Sequence, residues 1–155
     1  MYNADISYFG NTLIVFDGDV STEQLAKIPE TVRRNLGNII FLPGGKAPEE
    51  VIYDYILGLD SEHNFWSGVA SKIGFTWDYF NEHGPLSDDY RAEKDREKYK
   101  AWFKAHQQHF ESAKLMDYWI NDNPDIVATF RHDFLQSYNL IAKRTAAFEI
   151  EETQS

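Results

Sequence analysis

The chain has 155 residues, 43% of them hydrophobic and 15% aromatic, which fits one domain with a real buried core and argues against disorder. Its 25 acids against 15 Lys and Arg give a formal net charge of −10, which opposes phosphate backbones and lowers the case for a free-standing nucleic-acid binder. A nuclease domain stays open, because a metal offsets local acidity and a larger assembly can provide the basic groove. Cysteine is absent, so disulfides, thiolate metal sites and thiol nucleophiles are excluded, and a reducing setting fits. Residues 1–10 have no basic segment leading into an apolar one, and no stretch approaches the length of a membrane span. The expectation is a cytoplasmic chain without a membrane partner.

Residues 11–16 give the first strand. Leu13-Ile14-Val15-Phe16 is continuously apolar, as in a parallel-sheet strand buried on both faces, and it stops at Asp17-Gly18-Asp19. Acids at such a strand end stand at the carboxyl edge of the sheet, where open α/β folds hold ligands. Two carboxylates that close repel unless a cation lies between them, and hard oxygen donors favour Mg²⁺ or Mn²⁺. An equally local reading is that Asp-Gly is a turn dipeptide and Asp19 starts the next helix. Ser21 with Gln24 three residues on forms a capping box for a short helix ending near Pro29.

Residues 38–42 give a second buried-type strand, ending at Pro43-Gly44-Gly45-Lys46. Pro48 suits a first helical position, Glu49 and Glu50 suit the positive helix end, and Val51, Ile52, Tyr55, Ile56 and Leu59 follow at helical spacing. The Gly-Gly-Lys is not a Walker A motif, since the first glycine is missing and Ala47 stands where a hydroxyl is needed. Lys46 either neutralises a phosphate at the sheet edge or is a solvated lysine in a turn.

From Asp60 onward the chain reads as helical. Ser61 caps a helix to about Ile73, and residues 75–80 form an aromatic cluster of core character, with no basic residues interleaved for base stacking. After a loop at 81–87, a long charged helix is expected over 88–110, its mixed signs making an ion-paired surface. An apolar-rich segment spans 111–120. Asn123-Pro124 then starts a last helix to about Ala147, with Val127, Phe130, Phe134, Tyr138 and Ile141 on one face and a frayed acidic end at 149–155. His106 and His109 lack partners for a zinc set, and His63, His83 and His132 are isolated, so all five histidines are expected to be satisfied or exposed.

Taken together, Ile14-Val15-Phe16-Asp17-Gly18-Asp19-Val20 and Ile39-Ile40-Phe41-Leu42-Pro43-Gly44-Gly45-Lys46-Ala47-Pro48-Glu49-Glu50, followed by a helical tail, resemble the carboxyl-terminal part of a Toprim domain. The Toprim domains in question are those fused to ATPases in OLD-like endonucleases of phage defence. The resemblance implies an α/β fold: a partial Toprim or Rossmann-like parallel sheet of few strands in residues 1–59, with an all-helical region, 60–155, packed on it as one compact unit. It also implies that Asp17 and Asp19 bind Mg²⁺ or Mn²⁺, that Lys46 contacts the scissile phosphate, and that Glu49 and Glu50 are further candidate acids. ATP would act only through an ATPase domain or subunit absent from this chain, DNA would be the substrate within the larger protein, and a homodimer is a candidate state.

The family's glutamate on an earlier strand has no match, since the first acid here is Asp5. The expectation is therefore half of a centre, from an excised piece, a split gene product or a remnant, weakly active alone. Two other readings stay open. One is a HAD-like phosphatase, although Val20 and Ser21 follow Asp19 where that motif has glycine and then Thr or Val. The other is an inactive remnant that acts as an interaction module through its aromatic helices.

Overall fold

In the computed structural model, which describes residues 13–20, 22–27 and 39–154, two short strands run side by side near the start of the chain. Strands β1 (Ile14–Phe16) and β2 (Ile39–Phe41) are parallel, with Ile14 opposite Ile39, Val15 opposite Ile40 and Phe16 opposite Phe41. The pairing reaches one residue further, where the Leu42 amide donates to the Phe16 carbonyl at 2.8 Å. Parallel strands need a crossover, which here contains the short helix α1 (Thr22–Ala26). The expected cap at Ser21 and the stretch 28–38 lie outside the described residues.

The β-branched content behind the strand expectation is correct, but burial on both faces is not. Ile40 is buried, whereas Val15 and Phe41 are 45% and 39% exposed. Among the described residues the sheet has only these two strands, so each has one neighbour.

Most of the described residues are helical. Helix α2 (Pro48–Gly58) begins at the expected proline, with Glu49 and Glu50 in its first turn. The next helical stretch does not start on Ser61. Asp60 Oδ1 accepts from the Glu62 amide at 2.9 Å and His63 Nδ1 from the Phe65 amide at 3.1 Å, so these two side chains satisfy the open donors. A π-helical turn, Trp66–Ala70, follows. Thr76 then caps α3 (Trp77–Glu82), its hydroxyl accepting from the Tyr79 amide at 3.2 Å.

The long helix expected over 88–110 divides. A 3₁₀ turn at Asp88–Tyr90 comes first, Lys94 is extended, and α4 (Asp95–Ser112) follows. Its surface ion pairs are local, as between Lys100 and Glu97 at 3.3 Å. Lys114, at φ 55, breaks the chain between α4 and α5 (Leu115–Asp122). Helix α6 (Pro124–Gln154) runs past the expected end near Ala147 and through most of the segment read as frayed. No glycine or proline lies beyond Pro124 to stop it. Among the described residues, no helix is long and apolar enough to cross a membrane.

The chain divides into two compact units. Unit 1 is Met1–Pro48 with Asp125–Ser155, and unit 2 is Glu49–Pro124. Unit 2 has its own core, in which Ile56, Phe65, Phe75, Trp102 and Leu115 are almost fully buried. Rings meet edge to face there, as for Phe75 and Phe110 at 5.6 Å and Tyr53 and Trp102 at 5.6 Å. A polar tie joins α2 to the end of α5: the Tyr55 hydroxyl donates to Asp122 Oδ2 at 2.6 Å, and His63 Nε2 reaches the same oxygen at 3.2 Å. Burial first, and then the bond to the Asp122 carboxylate, holds the Tyr55 hydroxyl well above its ordinary pKa.

Candidate functional site

The two motifs singled out in the sequence meet at the carboxyl edge of the β1–β2 pair. Strand β1 ends at Phe16, and residues 17–20 close a tight turn in which the Val20 amide donates to the Asp17 carbonyl at 3.2 Å. Gly18 sits on the turn that follows β2. A Cβ on residue 18 would stand 2.8 Å from the Leu42 carbonyl oxygen and 3.0 Å from both the Gly45 amide nitrogen and the Lys46 carbonyl oxygen. Only a residue without a side chain allows that approach. The facing turn has its own glycine requirement, since Gly44 and Gly45 both have positive φ, 106° and 69°.

The consequence is chemical. Asp17 and Asp19 flank the glycine that packs on this turn, and Lys46 belongs to the turn itself, so two carboxylates and one ammonium belong to adjoining loops. Asp17 and Lys46 are exposed and Asp19 is half-buried, which leaves the edge open to a ligand from solvent. Glu49 and Glu50 lie in unit 2, where Glu50 Oε1 faces Arg96 Nε at 3.9 Å. Among the described residues, no group of three or more acidic or histidine side chains is poised to hold a metal ion. A pair of carboxylates is within the number that Mg²⁺, which keeps several waters, commonly takes from a protein.

A neighbouring feature is not marked by any motif. A cleft of about 360 Å³ opens between the β2 turn, at Phe41, Pro43 and Gly44, and the first turns of α6, at Asp125, Thr129 and Phe130. Asp125, Thr129 and Asp133 stand four residues apart, so they share one helix face, and that spacing was available in the sequence as a second pair of acids.

The histidines are less isolated than expected. His83 faces Asp89, His63 faces Asp122, and His106 is buried in contact with Tyr79. His109 departs from the expectation of satisfied or exposed side chains, because its Nδ1 is buried without a hydrogen-bond partner among the described residues.

Comparison with family models, with curated proteins and with solved structures gives no match to this chain.

Proposed function

We propose that unit 1 carries the carboxyl-terminal half of a Toprim-type phosphodiesterase centre, with β1 and β2 as part of a Rossmann-like parallel sheet. The observation that supports this reading is the packing of Gly18 on the Leu42–Lys46 turn, which sets an Asp-x-Asp and a lysine on one sheet edge. Asp17 and Asp19 would hold Mg²⁺ or Mn²⁺. When bound, such an ion activates water and stabilises the leaving oxygen. Lys46 offsets the charge of the scissile phosphate as a compact point charge. No glutamate precedes Asp17, so in this reading another segment or chain completes the acid set, and ATP acts through an ATPase domain outside these 155 residues. DNA is the substrate of the completed assembly.

The test is Mn²⁺ titration of the full chain by calorimetry, beside the double variant Asp17→Asn/Asp19→Asn. Binding that vanishes in the variant is the expected result, and equal binding by both proteins overturns the assignment. Plasmid cutting by the pure chain should be weak. Efficient Mg²⁺-dependent cutting, lost in Asp17→Ala, would contradict the incomplete-centre part of the reading.

A second reading, an interaction module, is favoured by α6, where Phe134, Leu135 and Tyr138 are 38%, 46% and 56% exposed. Light scattering that shows a strict monomer, together with no partner in a pull-down, would count against it.

A further inference from the structure

Unit 2 gathers three of the five histidines around one tyrosine, and the proton inventory there is constrained. The Trp102 carbonyl only accepts, so the contact from His106 Nδ1 at 2.9 Å fixes the hydrogen on Nδ1. His106 Nε2 is then the acceptor for the Tyr79 hydroxyl, 3.2 Å away. This pair links α3 to α4. His106 is 5% exposed and lies among the rings of Phe75, Trp102 and Phe110, at 6.0, 5.9 and 6.3 Å.

A second proton on His106 would invert the bond to Tyr79 and place a charge in an apolar, aromatic surround. The titratable and charged groups that face it come from each neighbouring element. From α3 come Tyr79 itself, His83 with its ring 4.6 Å from that of Tyr79, and Glu82 with Oε2 4.0 Å from His83 Nε2. From the 3₁₀ turn comes Asp89, whose Oδ2 is 2.6 Å from His83 Nδ1. From α4 comes His109, with its ring 5.7 Å from that of His106 and its buried Nδ1 without a partner among the described residues. His83 already faces Asp89. An imidazolium at His106 has no carboxylate in contact among the described residues, and positive charge at His109 or His83 works against it.

We propose that Tyr79, His83, His106 and His109 form an acid-sensitive latch that holds α3 on α4 and releases it on protonation of His106, opening the aromatic core of unit 2. Burial, reinforced by His109 and His83, lowers the His106 pKa, against the opposing pull of the Trp102 carbonyl and Asp89. The unfolded chain therefore takes up this proton more readily than the folded one. The latch is intact above the ordinary histidine pKa of about 6.5 and weakens as the pH falls below it.

The experiment follows near-UV circular dichroism of the full chain from about pH 7.5 to about pH 5, a range dominated by histidine rather than carboxylate titration. Wild type should lose the aromatic signal reversibly while keeping its far-UV helix signal. His106→Gln, neutral throughout, should move the midpoint down by about one pH unit or more, and His132→Gln, on exposed α6, should leave it unchanged. A wild-type signal constant over the range, or identical midpoints in wild type and His106→Gln, overturns the latch. Should His106→Gln fail to fold, ring NMR of histidine-labelled wild type decides. A His106 ring that stays neutral until the aromatic signal collapses supports the latch, and one that protonates while the signal holds overturns it.

Discussion

A methyl group at residue 18 would stand 2.8 Å from a backbone oxygen of the Leu42–Lys46 turn, a separation that real Cβ atoms do not adopt. Backbone cannot swing aside as a flexible side chain does, so the two loops would have to part. Gly18→Ala should therefore cost about 1–3 kcal/mol in urea unfolding, and, on the proposed reading, weaken Mn²⁺ binding while leaving both aspartates in place. Unchanged stability would show that the loops separate freely. The sequence marks Gly18 only as a bend between two acids. That its backbone rests on a turn more than twenty residues later depends on strand pairing, which no local pattern states. Lys114 is a similar case, a non-glycine residue at φ 55 between two helices, with nothing in its neighbours to mark it.

Helix boundaries were legible where punctuation is chemical. Proline at 48 and at 124 opens α2 and α6, as their fixed φ and missing N–H predict. They were hidden where polarity is continuous, as across 88–95, because charged residues suit a 3₁₀ turn, an extended residue and a helix about equally. Asn123 shows how a correct boundary can rest on a different contact. Asparagine before a helix-opening proline suits a cap of the helix that follows, yet Asn123 Nδ2 donates backward to the Trp119 carbonyl at 2.8 Å and finishes α5. Asn123→Ala should destabilise unit 2 by about 1 kcal/mol, the net worth of such a bond, and hydrogen exchange should rise first in the last turn of α5. Faster exchange confined to the first turn of α6 would contradict this assignment.

Across the whole molecule, the parallel pairing and the helical remainder follow from apolar runs and spacing, but the division into units does not follow chain order. Unit 2 has a separate aromatic core contributed entirely by residues 49–124, while unit 1 is assembled from both ends of the sequence. A chain comprising residues 49–124 should therefore fold alone, with a cooperative thermal transition and a near-UV signal from Trp66 and Trp102. A non-cooperative melt with no aromatic signal would show that its core depends on unit 1. Periodicity reports which face of an element is apolar, not which distant segment covers it, so this arrangement was out of reach of the sequence.

The split assembly of unit 1 gives synthesis a direction. A ribosome releases β1 and β2 long before the residues beyond Pro124, so a nascent chain can complete the aromatic core of unit 2 while the first unit still lacks its final helix. The edge that bears Asp17, Asp19 and Lys46 therefore acquires the neighbouring cleft wall at Asp125, Thr129 and Phe130 only after the residues of the unit 2 core have been made.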